Sequence, residues 1–348
     1  MRLTWRTVPL ELAEPLRISR SVMSRRDAVR VTVEHDGLHG HGEAVSSAYR
    51  GLPARRITAH LARLRGALER FPDPETAWAG LGTGGPPAAV YAAVEAAVLD
   101  LVGKRSGRPA HRVLGTERAP AAPTARTIGI VPPERAAGAA HRLARAGFGV
   151  LKVKAGSADP ARDLARVGAV RAAAPGARLL LDPNGAWSEE QARGLLPAFA
   201  ALGVEAVEQP VAPGRPEVLA RIARDSPVPV IADEDAVTYE DALRLAGRVD
   251  GVNVKLAECG GVRAALRICA ALEGSGTEVM LGCLTASSLG IAPAVHLADR
   301  ARWVDLDGHL LLAADPWTGG GGGAGGRRAA APPPHRGPAP PSGPAPPG

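Results

Sequence analysis

A chain of 348 residues, 45% of them hydrophobic, can bury the core of one large α/β barrel beside a smaller domain. Its net charge of +7 does not point to nucleic acid, because the arginines lie scattered beside Asp and Glu and aromatic residues are only 3% of the chain. Three cysteines without CxxC spacing exclude a disulfide framework and a zinc site, and no run is apolar enough for a signal peptide or a membrane span.

Residues 1–50 read as strands joined by turns. "AVRVTVEHDG" alternates, and "DGLHGHGEA" supplies a turn and a second strand. Residues 53–114 read as helices, clearest in "PPAAVYAAVEAAVLDLVGK", with apolar positions at helical spacing and proline at its start. The linker "TERAPAAPTA" then leads into a strand-then-helix unit that recurs to about residue 315. Its strands read "TIGIV", "VLKVKA", "RLLLDPN", "AVEQPV", "PVIADE", "GVNVKL", "EVMLGC" and "WVDLDG". Repeated βα units mean parallel strands, and eight of them close into a (β/α)7β TIM-like barrel over residues 116–317, preceded by an α+β domain over 1–115. A doubly wound open sheet is the competitor, but no glycine-rich phosphate loop follows the first strand. Residues 318–348 are Gly/Pro-rich and are expected to be disordered.

Only four of the 42 basic residues are lysines: Lys104, Lys152, Lys154 and Lys255. Two of them interrupt the apolar run "GFGVLKVKAG", and another ends "GVNVKLAE". In such a barrel the C-terminal strand ends converge on one mouth. There the chain places Lys152 and Lys154, then Asp182, Glu208, Asp233, Lys255, Cys283, and finally Asp305 with Asp307. Asp182, Glu208 and Asp233 fall on adjacent strands, where three carboxylates call for a cation. An oxygen-only ligand set favours Mg²⁺. The competing arrangement pairs these acids with the three lysines.

Strands two and six face each other across an eight-strand ring, so Lys154 and Lys255 are expected on opposite sides of a substrate. Arginine does not give up its proton, whereas lysine can act as a base. With a divalent cation, such a pair suits removal of a proton beside a carboxylate through an enediolate. Asp305 and Asp307, two apart on a strand, are expected on one face, where they would hold a cation. His39 and His41 lack a third metal ligand, His296 reads as a packed helix residue, and Cys283 lacks a His partner and reads as a substrate contact.

The set "KVK", "LDPN", "VEQP", "ADE", "NVKL" and "LGC" resembles the enolase superfamily, muconate-lactonizing-enzyme subgroup, and "DLDG" resembles the Asp-x-Asp of its dipeptide epimerases. The resemblance implies a Mg²⁺-dependent epimerase with Lys154 and Lys255 as acid/base groups and Asp182, Glu208 and Asp233 as metal ligands. It implies that Asn184 supports those ligands and that Lys152 meets the substrate carboxylate. Residues 1–115 become a capping domain whose loops at Arg20 and at residues 46–51 close the mouth. Arg20 and Thr127 align with substrate-contacting positions, and Arg20 hints at an acidic side chain such as Glu. A cytoplasmic homo-oligomer acting on a dipeptide, with no nucleic-acid or membrane partner, is expected. The alternatives are an o-succinylbenzoate synthase, an N-acylamino acid racemase, a muconate-type cycloisomerase, or an inactive relic that binds a small ligand. In this family the chain normally returns to the capping domain after strand eight; here the Gly/Pro tail is expected to replace that return.

Overall fold

The computed structural model describes residues 1–82 and 85–317; the expected disorder of 318–348 lies outside the described residues. Strands β1 (Arg2–Ile18), β2 (Ser21–His35) and β3 (Leu38–Val45) form an antiparallel meander. Asp36 and Gly37, at φ +51° and +75°, make the tight turn between β2 and β3. Val29, Val31 and Val33 face the helix Ala88–Ser106 in one core. The glycines of "HGHGE" explain how closely that helix lies. A Cβ on Gly42 would stand 2.0 Å from Ala93 O, and one on Gly40 would stand 1.9 Å from Ala97 O. The His41 ring lies tilted against Trp317 and stacked parallel to His39 at 6.5 Å.

Eight parallel strands follow: β4 (Arg126–Ile128), β5 (Val150–Lys154), β6 (Arg178–Asp182), β7 (Val204–Glu208), β8 (Val230–Ala232), β9 (Gly251–Lys255), β10 (Glu278–Gly282) and β11 (Trp303–Asp305). They neighbour one another in chain order, with helices in each crossover. The ring is drawn together where Ala125 N donates to Val304 O at 2.7 Å and Leu306 N to Thr124 Oγ1 at 2.8 Å. The expected barrel is therefore present. Leu180, Ile231, Met280 and Trp303 plug its floor. Gly251 makes room there, since a Cβ would stand 2.8 Å from the Trp303 ring.

The expected loss of the chain's return to the capping domain is corrected in part. Leu312 bridges Leu12, and Ala313 N donates to Glu11 O at 2.9 Å. The Trp317 ring centroid lies 5.0 Å from that of His41 and 5.4 Å from the Arg30 guanidinium carbon. Among the described residues, 312–317 carry this return. Low-complexity composition marked the tail but hid the apolar anchors Leu312 and Trp317 just before it.

Candidate active site

Above the apolar floor, three of the four lysines enter one buried network, while Lys104 pairs with Asp100 on the surface at 2.8 Å. Lys152 Nζ lies 2.6 Å from Glu208 Oε2, 2.7 Å from Asp305 Oδ2 and 3.2 Å from Asp182 Oδ2. Lys154 Nζ is 2.5 Å from Asp182 Oδ2, and Lys255 Nζ is 2.6 Å from Asp233 Oδ2. Asp182 and Glu208 close β6 and β7, and Asp233 follows β8, so the three acids come from adjacent strands as expected. They also pair with the lysines, which is the arrangement that competed with the metal reading.

Buried amides set the carboxylates. Asn184, at φ +50°, donates from its N to Asp182 Oδ1 at 2.8 Å and from Nδ2 to Oδ2 at 3.2 Å. Gln209 Oε1 accepts from Asp233 N at 2.9 Å, and Asn253 Nδ2 donates to Glu208 Oε1 at 2.9 Å. Gly282 leaves the space for that amide, since its Cβ would stand 2.3 Å from Asn253 Oδ1. Arg166 Nη1 donates to Lys154 O at 3.2 Å and fixes the end of β5. Gln209 and Asn253 were missed, although both stand inside the quoted "VEQP" and "NVKL" as polar residues in buried strands.

Electrostatics follow from burial and crowding. Burial, reinforced by the charge of Asp182, pushes Glu208 up to about 7. Burial raises Asp233 to about 6 against the pull of Lys255. Burial also opposes Asp182's charge, but Lys154 and Lys152 outweigh it and hold that carboxyl low. For Lys152 and Lys255 burial opposes the charge too, and the surrounding carboxylates outweigh it, so both amines sit well above the ordinary lysine value. The donor chemistry fits a hard cation: all-oxygen ligands, with Asp233 Oδ1 and Asn184 Oδ1 buried and without a hydrogen-bond donor. Among the described residues no three acid, His or Cys side chains close on a metal position as they stand. Lysine ammonium groups hold the carboxylates instead.

At β11 the strand ends at Asp305, and Asp307 turns into a short 3₁₀ segment at φ −89° and ψ 3°. The expected alternation of both acids along one strand face is therefore corrected: the turn separates their roles. Asp305 reaches Lys152, whereas Asp307 accepts from Thr127 N at 2.7 Å and Thr127 Oγ1 at 3.3 Å and pairs with Arg126 at 3.2 Å. Cys283 packs under Gly308, and burial pushes its thiol up, which suits no nucleophile.

The capping loops reach the mouth. Arg20 Nη1 lies 2.7 Å from Glu234 Oε1 and donates to Asn184 O at 3.1 Å. Arg50 pairs with Glu258 at 2.8 Å, and Tyr49 stands between the Arg20 and Arg50 guanidinium groups. Two buried acids, both missed, join cap to barrel. Glu95 accepts from Val262 N and pairs with Arg263 at 2.8 Å. Glu43 accepts from Ser287. A lone acid inside the apolar helix "AVEAAV" was the available signal for Glu95. A cavity of about 260 Å³ lies outside the mouth against Glu234, Asp235 and Arg244, and one of about 170 Å³ lies below Leu180 and Trp303; neither is lined by the lysines. No helix among the described residues is long and apolar enough to cross a membrane.

Residues 134–309 match the enolase C-terminal-domain-like family and residues 1–115 the mandelate racemase/muconate lactonizing enzyme N-terminal domain. The chain is 33% identical to a hydrophobic dipeptide epimerase of Roseobacter litoralis over 322 residues, 92% of this chain and 93% of the relative. A solved enolase family member from Agrobacterium tumefaciens with homology to dipeptide epimerases, holding sodium and L-Ala-L-Glu, is 36% identical; the match covers 90% of this chain and 93% of that one at a TM-score of 0.82. A dipeptide epimerase from Methylococcus capsulatus, solved with Mg and L-Arg-D-Lys, is 33% identical; the match covers 90% and 92% at a TM-score of 0.81. Two-domain architecture, lysine-bearing strand ends and near full-length similarity agree: the chain belongs to the mandelate racemase/muconate lactonizing enzyme family of the enolase superfamily.

Proposed function

We propose that this protein is a Mg²⁺-dependent dipeptide epimerase that inverts the α-carbon of the dipeptide's C-terminal residue by proton transfer between two lysines. The observation that carries the reading is the placement of Lys154 on β5 and Lys255 on β9, four strands apart in a ring of eight, each against its own carboxylate. Epimerisation needs a proton taken from one face and returned on the other, and amines on opposite walls suit it. Asp182, Glu208 and Asp233 would hold Mg²⁺, which would supply positive charge to stabilise the carbanion as it spreads into the substrate carboxylate. Lys152 would meet that carboxylate, and Asn184, Gln209 and Asn253 keep the acids in place.

Asp305 would receive the free ammonium of the dipeptide, with Asp307, Thr127 and Cys283 beside it. Asp305 Oδ1 is buried without a donor, which supports this choice over o-succinylbenzoate synthase, N-acylamino acid racemase or cycloisomerase chemistry, whose substrates carry no such cation. Arg20 would close the mouth. The test is deuterium uptake from D₂O at the α-carbon, followed by mass spectrometry across a dipeptide library and a set of N-acylated amino acids. Uptake in dipeptides that stops with EDTA and returns with Mg²⁺ is expected. Uptake confined to the N-acylated set overturns the reading, and so does activity that survives complete chelation.

A further inference from the structure

We propose that Arg26 is a specificity-determining residue that selects a carboxylate on the side chain of the epimerised residue, a role that Arg20 is not free to take. The inference rests on the dipeptide reading and deepens it to a substrate class. Along β2 the side chains alternate. Val29, Val31 and Val33 pack against the capping helix, while Ala28 joins the core of the barrel and Arg30 reaches Glu43 at 4.0 Å. Arg26 shares the face of Ala28 and Arg30 and so projects toward the barrel. Its Nη1 donates to Thr285 O at 3.4 Å, just past the end of β10.

That long bond is weak for a half-buried guanidinium, whose planar fork matches a carboxylate. Among the described residues Arg26 has no ion-pair partner, whereas the other arginines at the mouth do. Arg20 is held by Glu234 at 2.7 Å, Arg50 by Glu258 at 2.8 Å and Arg126 by Asp307 at 3.2 Å. Burial pulls the Arg26 pKa down, with Cys283 and Glu258 opposing, so its charge is under-compensated in the free protein. Thr285 lies in the loop that leaves the C-terminal end of β10 after Cys283, which places Arg26 at the mouth. A substrate carbon between Lys154 and Lys255 would send its side chain up toward the cap, where this cation waits.

The experiment compares kcat/KM for L-Ala-L-Glu and its uncharged isostere L-Ala-L-Gln, by D₂O exchange, in the wild type, Arg26→Met and Arg26→Lys. The wild type is expected to favour the Glu dipeptide. Arg26→Met is expected to reduce the Glu-to-Gln ratio on the order of 10²-fold, chiefly through KM because the carboxylate lies away from the reacting carbon, and Arg26→Lys to recover part of it. An equal loss on both dipeptides leaves the ratio intact and makes Arg26 only a tie between cap and barrel, which overturns the inference. A wild type that favours Gln, or a ratio untouched by either variant, overturns it as well. A wild type that turns over no dipeptide fails the dipeptide reading itself and takes this inference with it.

Discussion

Glu43, near the end of β3, holds Ser287 at the start of a barrel helix by two hydrogen bonds, from Ser287 N at 2.8 Å and Oγ at 2.6 Å. Glu95 does the same one crossover earlier, capping the helix Val262–Leu272 through Val262 N. The capping domain thus supplies, from its own sheet and helix, the acids that two barrel helices need at their positive ends. These helices follow β9 and β10, so the loop that follows Lys255 is set by the cap.

Burial raises the pKa of both acids despite these donors. A carboxyl whose folded pKa is raised favours folding fully below its unfolded value, near 4.5, and loses that contribution as pH climbs through the folded value. The stability of the wild type minus that of Glu43→Gln should therefore fall as pH rises from 4.5. Denaturant unfolding of both proteins at several pH values checks this. A difference that grows with pH would show that the donors outweigh burial.

The eight strands and the polar strand ends were legible in the sequence because each is a local break in pattern. A lysine or aspartate inside "VLKVK" or "LLLD" stands out against its neighbours. Glu43 and Ser287 are 244 residues apart, and no local pattern pairs them. Asp307 was placed on the strand because alternation was extended past Asp305, where the backbone turns. No local pattern marks Arg26 among the arginines of the β1–β2 hairpin; what sets it apart is that Arg20 and Arg50 are held by Glu234 and Glu258.

Gly282 stands at φ/ψ that other residues could adopt, so its requirement is spatial. An added methyl at 2.3 Å from Asn253 Oδ1 must push the amide away from Glu208. Gly282→Ala should weaken Mg²⁺ binding about 10-fold, as loss of an outer hydrogen bond to a ligand does. Titration calorimetry reads this without turnover, and Asn253→Ala should match it. Unchanged Mg²⁺ affinity in both variants would remove Asn253 from the positioning of Glu208.

Lys154→Arg and Lys255→Arg keep the positive charge against Asp182 and Asp233 while removing an exchangeable base. Each should lose α-proton exchange by about 10²- to 10⁴-fold, the worth of one general base, and from opposite epimers of the dipeptide. NMR of the α-proton in D₂O, starting from each epimer, separates the two. Equal losses from both epimers in each variant would refute two bases on two faces.

The return of the chain to the cap can be isolated by comparing truncations after Leu311 and after Trp317. Both lack residues 318–348, so the difference reports residues 312–317 alone. Leu312 is 8% exposed, and it bridges Leu12 on β1 while Trp317 lies against His41 and Arg30. Burying a leucine contributes about 1.5–3 kcal/mol, and the Trp317 contacts add to it. The shorter chain should therefore be less stable by about 2–4 kcal/mol in urea unfolding. Because β1 leads directly into the loop at Arg20, its KM for dipeptide should rise more than its kcat falls. Equal stability of the two truncations would mean that the Glu43 and Glu95 contacts hold the cap unaided.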